Sequence, residues 1–411
     1  MLGERIRKLR KEKKMTLEAL AGEALTKGML SLIENNKANP SIESLTYIAQ
    51  QLSVEVTDLL EEVSSQELRE VLEKAEKMFN QDAEEVNDNY KQLIALIEPY
   101  VSSLTNGYES ARLLDIYSRS LYCEKKDGWR ELLDKAAQIY DQMNLTSRRA
   151  SLGIFRSTEK FFSHDYTESL NIHLSERSNI EANHAYIDPM TRLSLDYHEA
   201  AFYFAVGDTA SATRVMNEAI NFSKENRIFY LIDDLYRLAA GYAMISKNIK
   251  ERDYYARKLK QYEEFADDIN SKWFVDLINI EALLTEHHEY AKAIDLIDSA
   301  LANEKNPGDF QPYFLLEKGR ALYGLNHFSE ALHCFREISI PSYIHHPFDL
   351  SIFYIADVFI ALCHLEQKNL EAAIQSAEIA MRNFEPLPNT SFKEFCKSTY
   401  QKISMTKPAE A

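Results

Sequence analysis

From residue 68 onward the chain repeats itself in pairs of amphipathic helices, and such a repeat leaves little freedom of fold. Apolar residues recur at the i, i+3, i+4 spacing of helices buried on one face. The spacing predicts Leu68–Phe79 paired with Ala83–Tyr100, Glu109–Cys123 with Trp129–Met143, Arg148–His164 with Tyr166–Asn179, and Thr191–Val206 with Thr209–Glu225. Next come Tyr230–Ser246 with Lys250–Asp267, Ser271–His287 with Tyr290–Asn303, Gln311–Leu325 with Phe328–Ile338, and Asp349–Gln367 with Leu370–Phe384. A last helix, Ser391–Ser404, has no partner. Only 11 Gly and 10 Pro occur in 411 residues, so few turns can need special backbone angles, and the expected class is all-α.

Small residues fix the register of the repeat. The loops at 206–208, 287–289, 324–326 and 367–369 each precede a helix carrying an alanine at one fixed offset: Ala212, Ala293, Ala331 and Ala373. Seven residues further on stand Ala219, Ala300 and Ala380, and large residues such as Tyr203, Leu284, Leu322 and Phe335 fill the space that close helix approach leaves. With its period of about 40 residues, the pattern resembles the tetratricopeptide repeat, clearest over residues 191–384. The resemblance implies a right-handed superhelix whose inner groove is lined by the first helix of each pair. Counting from the alanines puts Tyr197, Tyr236, Arg237, Asn279, Arg320 and Tyr323 on that inner face. An extended peptide would find amide and guanidinium partners in Asn279 and the two arginines, and large contact area in the tyrosines.

The first 60 residues follow a different rule. Leu2–Lys14 (LGERIRKLRKEKK) turns Ile6 and Leu9 inward and surrounds them with Arg and Lys. Thr16 caps a short helix with Leu17, Leu20, Ala21 and Ala24 on one face, and Leu25-Thr26 turns into a second with Met29, Leu30 and Ile33. Two more helices, with Ile42, Leu45, Ile48, Ala49 and Leu52, then Val56, Leu59 and Leu60, complete a five-helix unit. Two short helices so joined form a helix-turn-helix, whose second helix enters the DNA major groove. The expected contacts are Thr16, Thr26, Lys27, Met29 and Ser31 along the helices that meet DNA, with Arg5, Arg10, Asn36 and Lys37 on phosphate. The stretches ERIRKLRKEKKMT, LSLIENNK and NPSIESLTYIAQQL resemble the Xre and lambda-repressor class of DNA-binding domains.

A helix-turn-helix domain over 1–60, a linker over 61–67 and tetratricopeptide-like repeats over 68–404 together resemble the RRNPP group of Gram-positive peptide-sensing regulators, most closely its NprR branch. That resemblance implies a quorum-sensing transcription regulator. It would bind double-stranded DNA and a re-imported signalling peptide, act as a homodimer or larger oligomer, and, when peptide-free, also bind a phosphorelay response regulator controlling sporulation. A Rap-type phosphorelay effector and a phage lysis-lysogeny receptor are the alternatives. The final helix, with Phe392, Phe395, Cys396, Tyr400 and Ile403, is expected to cap the array or to form a dimer contact.

The charge distribution agrees with a DNA-binding head. The chain carries −17 overall, yet residues 1–60 hold nine Lys and Arg against eight Asp and Glu, and residues 1–14 hold seven against two. The remaining 351 residues therefore carry −18, which repels DNA from every other surface. No nucleophile elbow, phosphate loop or GxGxxG occurs, so neither an enzyme nor a cofactor is expected. Cys123, Cys334, Cys363 and Cys396 lie far apart and are expected to be buried thiols, while the pairs His287-His288 and His345-His346 have no metal-ligand spacing and are expected at surfaces or interfaces. No apolar run of membrane-spanning length is evident, and a cytoplasmic location is expected.

Overall fold

The computed structural model describes residues 2–60, 63–80, 89–303 and 308–406, and among these every regular element is helical. Linker residues 61–62 and the expected beginning of the Ala83–Tyr100 helix lie outside the described residues. The chain divides into two compact units. One holds the residues up to Leu152 with Asn183–Ala185, and the other holds Gly153–Ala182 with everything from Tyr186.

Five short helices open the first unit: α1 (Leu2–Glu12), α2 (Leu17–Ala21), α3 (Lys27–Glu34), α4 (Ile42–Gln51) and α5 (Val56–Leu60). Helices this short need their ends satisfied. Thr16, Thr26 and Ser41 do so, each accepting from the backbone N–H three residues on, at 3.1, 3.1 and 3.2 Å. Their apolar faces meet on Ile6, Leu20, Leu30, Ile33, Ile48, Leu52 and Leu59, all shielded from solvent. The helix expected to run through Ala24 stops at Ala21, because Gly22 takes φ 50°. A Cβ at Gly22 would stand 2.0 Å from the Tyr47 hydroxyl, so this turn needs glycine both for its backbone and for its packing on α4.

The same unit continues with α6 (Ser65–Phe79), α7 (Asn89–Ile97), α8 (Tyr108–Cys123), α9 (Trp129–Gln142) and the first part of α10 (Thr146–Phe162). A buried ion network ties α6 to α8. Arg112 donates through Nε and Nη2 to the Glu76 carboxylate at 2.6 and 3.1 Å and through Nη1 to Asp115 at 2.7 Å, and Arg119 reaches the other Asp115 oxygen at 2.6 Å.

In the second unit, α10 is followed by α11 (Tyr166–Asn183), α12 (Pro189–Val206), α13 (Thr209–Asn226), α14 (Ile232–Ile245), α15 (Ile249–Ala266), α16 (Ile269–Ala282) and α17 (Tyr290–Leu301). Then come α18 (Gln311–Gly324), α19 (Phe328–Glu337), α20 (Pro347–Glu366), α21 (Leu370–Phe384) and α22 (Ser391–Met405). The alanine register holds: Ala212, Ala293, Ala331, Ala373 and Ala219 are wholly buried, and Ala300 and Ala380 nearly so. Gly319 extends the same logic, since a Cβ there would stand 2.4 Å from the Phe335 ring.

Three expectations change. Helix α20 is long and apolar enough to cross a membrane by length and composition, but 56% of that stretch is buried inside this protein against α18, α19, α21 and α22. Cys334, Cys363 and Cys396 are buried free thiols, whereas Cys123 is exposed as the last residue of α8. His345 and His346 are no simple surface pair. His345 meets His164 at 3.2 Å, and His346 donates through Nε2 to the Ala201 carbonyl at 3.2 Å while its Nδ1 accepts from the Phe348 N–H. The final helix α22 packs on α20 and α21 with Cys396 and Ile403 buried and Phe392 and Tyr400 partly covered, so much of its apolar face lies against its own array.

Candidate functional site

The head of the chain offers a cationic face, but not through all the residues expected there. Arg10 points inward: its Nε and Nη2 grip both oxygens of Glu34 at 2.6 and 2.8 Å, its Nη1 donates to the Met15 carbonyl at 2.9 Å, and only 11% of its side chain is exposed. Burial weakens a charge unless a partner replaces water, and here Glu34, 4% exposed, holds the guanidinium above its ordinary pKa through hydrogen bonding. Arg5 likewise donates to the Leu59 carbonyl at 2.7 Å, bracing α1 against α5. Asn36, in the left-handed region at φ 55°, accepts the Gly3 N–H at 2.9 Å, and Gly3 packs so closely on α3 that a Cβ there would overlap the Ile33 carbonyl. All three expected phosphate contacts are thus engaged within the domain, Arg5 and Arg10 half-buried and Asn36 exposed. Exposed Arg7, Lys8, Lys11, Lys13, Lys14 and Lys37 carry the outward charge instead.

On α3 the exposed residues are Lys27, Gly28, Met29 and Leu32, with Ser31 half-buried. Thr16 and Thr26 set where α2 and α3 begin, their hydroxyls being engaged as caps. Lys27 forms an exposed ion pair with Glu18, and that pair holds the Glu18 carboxyl below its ordinary pKa. Gly28 meets nothing closer than the Thr26 hydroxyl at 4.0 Å, so a side chain fits there without strain. Replacing it with alanine is expected to stabilise the helix by up to about 1 kcal/mol. Its methyl would stand beside Lys27 on the outer face, so Gly28→Ala should weaken DNA binding while raising the melting temperature. Unchanged DNA affinity with raised stability would move the contact face elsewhere on α3.

The second unit contains a cavity of about 430 Å³, within the usual range for small-ligand sites. Its wall comes from one face of each of five helices: Tyr197 and Ala201 on α12; Asp234, Arg237, Leu238, Gly241 and Ile245 on α14; Phe274, Ile278 and Glu281 on α16; Tyr313, Glu317 and Arg320 on α18; and Phe348, Asp349 and Ile352 on α20. Tyr343 and His346, from the segment before α20, close one side, and Phe392 of α22 closes another. These are helical i, i+3, i+4 and i+7 sets, and each element was placed by the repeat spacing.

Of the six residues expected on the inner face, Tyr197, Arg237 and Arg320 line the cavity. Tyr236, one position from Arg237 and so about 100° around the helix, is buried with its ring 5.9 Å from that of Tyr255. Asn279, one position past Ile278, is exposed and outside the cavity. Tyr323 packs against Phe328 and Phe359. Both arginines are already paired: Arg237 with Asp233 and Asp234 at 2.8 and 2.7 Å, and Arg320 with both oxygens of Glu317 at 2.9 and 2.8 Å. The buried Nη1 of Arg237 has no hydrogen-bond partner, its nearest carboxylate oxygen being that of Asp268 at 3.8 Å.

Asp349 is the group that sequence reasoning passed over. Half-buried by surface area, it forms no hydrogen bond or ion pair among the described residues, and desolvation in the cavity pushes its carboxyl up to about 6. Its position in the first turn of α20 reads locally as an ordinary helix-start acid, and only the fold shows that it faces a cavity.

Residues 3–65 match the family model described as "Helix-turn-helix domain". Comparison with curated proteins finds no match. Among solved structures, Bacillus thuringiensis PlcR in complex with the peptide PapR7 and DNA is similar over 65% of this chain and 95% of its own, at 16% identity and a TM-score of 0.35. The SHP pheromone receptor Rgg2 of Streptococcus dysgalactiae is similar over 68% of this chain and 100% of its own, at 15% identity and a TM-score of 0.34. The apo form of the competence regulator ComR from Streptococcus vestibularis is similar over 98% of this chain and 97% of its own, at 14% identity and a TM-score of 0.26. Over residues 3–65, then, the chain is similar to the helix-turn-helix domain family.

Proposed function

We propose that the chain is a cytoplasmic, non-enzymatic transcription regulator that binds promoter DNA through α3 and a short signalling peptide in the cavity of its repeats. The observation that carries the reading is the pairing of a helix-turn-helix domain, with its uncovered cationic face, with a cavity walled by one face of each of five repeat helices. Apolar walls suit peptide side chains, and the unused Arg237 Nη1 supplies a donor for a backbone carbonyl or a carboxylate. PlcR is solved with both a peptide and DNA, which agrees with this reading. Domain bounds of 1–60, 61–67 and 68–404 belong to the same proposal.

A helix-turn-helix domain of this kind reads one half-site, so tight binding to a two-fold operator needs at least two copies of the chain. Binding of a phosphorelay response regulator by the peptide-free form is what the resemblance to the NprR branch adds. The test is selection of duplexes from random-sequence DNA by the full chain. Wild type should enrich one two-fold motif, and Lys27→Ala should lose about 1–3 kcal/mol on it but less on unselected DNA. If no sequence is enriched, the DNA-reading role fails.

A further inference from the structure

The cavity is chemically uneven. Its cations are matched: Arg237 holds Asp233 and Asp234, and Arg320 holds Glu317. Glu281 lies 3.8 Å from Arg252 and near enough to Arg320 to feel its charge. Asp349 forms no ion pair among the described residues, and the Arg237 charge that also reaches Tyr197 is already held by Asp233 and Asp234. The groups that feel the Asp349 charge are the phenols of Tyr197 on α12, Tyr313 on α18 and Tyr343 before α20. None of these carries positive charge, and burial holds all three phenols above their ordinary pKa. Asp309, whose charge also reaches Tyr313 and Tyr343, adds a second carboxylate beside those two phenols.

His346 cannot supply the missing charge. Its Nε2 is engaged as a donor to the Ala201 carbonyl and its Nδ1 as an acceptor from the Phe348 N–H, which requires the neutral ring, and burial pushes its pKa down to about 4. The N-terminus of α20 favours the Asp349 carboxylate, but that partial charge does not restore the water lost on burial. An unpaired carboxylate among aromatic rings is the environment that a desolvated ammonium or guanidinium group matches, by ion pairing and by cation–π attraction.

We propose that Asp349, with Tyr197, Tyr313 and Tyr343 around it, is the subsite for a cationic group of the cavity's ligand, either a peptide's N-terminal ammonium or a Lys or Arg side chain. This rests on the reading of the cavity as a peptide site. It assigns that peptide a terminus or a residue, because its positive group lies at Asp349, in the first turn of α20. Binding then depends on pH. The cation needs Asp349 charged, so affinity is full above pH 7 and falls as pH drops through about 6. The free protein behaves oppositely. A carboxyl whose folded pKa is raised from 3.8 to about 6 opposes folding when charged, so this group's cost is present above pH 6 and disappears as pH falls below 4.

The experiment uses the full chain and three pools of synthetic random heptapeptides: one with free N-termini, one N-acetylated, and one with free N-termini but lacking Lys and Arg. Peptides retained by wild type and lost by Gly241→Leu, which fills the cavity, are identified by mass spectrometry and titrated at pH 5 and pH 7.5. The expected result is that cavity-bound peptides require a positive group and lose about tenfold or more in affinity on Asp349→Asn, with the pH dependence flattened and largely restored by Asp349→Glu. Dependence on the free terminus assigns the ammonium, and dependence on Lys or Arg assigns the side chain. Cavity-bound peptides that bind Asp349→Asn as tightly as wild type would overturn the subsite while leaving the peptide reading standing. Failure of every pool to yield a peptide sensitive to Gly241→Leu would overturn the peptide reading itself, and the subsite with it.

Discussion

Arg10→Ala is expected to destabilise the five-helix head by about 3–5 kcal/mol, because it leaves the Glu34 carboxylate buried and alone. Glu34 is 4% exposed, sits at the end of α3, and receives two of the three hydrogen bonds that the arginine donates. Loss of the third, to the Met15 carbonyl, also loosens the entry to α2. In the full chain the change should appear as lost hydrogen-exchange protection at Leu30, Ile33 and Ile48, and as weaker binding to every DNA sequence. A phosphate-contacting arginine would behave differently, since its removal would flatten the salt dependence of binding while leaving protection intact. The paired replacement Arg10→Met with Glu34→Leu should recover most of the stability, because no charge is then left unmatched.

Gly241→Leu is expected to keep the fold and abolish ligand binding. Gly241 lies inside α14 and lines the cavity, and a Cβ built there meets no atom within 4 Å. A non-glycine residue in a helix interior gains roughly 1 kcal/mol over glycine, so the variant should melt no lower than wild type. The isobutyl group would occupy the space between Leu238 and Ile245 on the same helix face, where a ligand must lie. A variant that melts as wild type and still binds the same peptides with the same affinity would place the ligand elsewhere in the repeats.

The repeat was legible because it rests on volume. Ala212, Ala293, Ala331 and Ala373 mark where helices touch, and each is wholly buried. The caps Thr16, Thr26 and Ser41 were equally plain, since their chemistry is local. The inner face was legible only to within one residue. Arg237 lines the cavity but its neighbour Tyr236 does not, and Ile278 lines it while Asn279 faces solvent, because a shift of one position turns a side chain through about 100°.

Side-chain destinations set by distant partners were not legible at all. Arg5, Arg10 and Asn36 look like phosphate ligands in a basic N-terminal stretch, yet each is claimed by a group from 24 to 54 residues away. Asp349 was missed for the converse reason: in sequence it is one more acid at a helix start, and what distinguishes it is the lack of a hydrogen-bond or ion-pair partner among the described residues.

The cavity and the proposed DNA-binding face are expected to act as one device. The most direct test is a pair of titrations on the full chain: affinity for the cavity peptide with and without the selected operator, and affinity for the operator with and without the peptide. Coupled sites share one free energy, typically about 1–3 kcal/mol, so each ligand should change the other's affinity by the same factor, roughly 5- to 150-fold. Equal peptide affinities with and without operator would contradict the account, leaving two functions that share a chain but do not communicate.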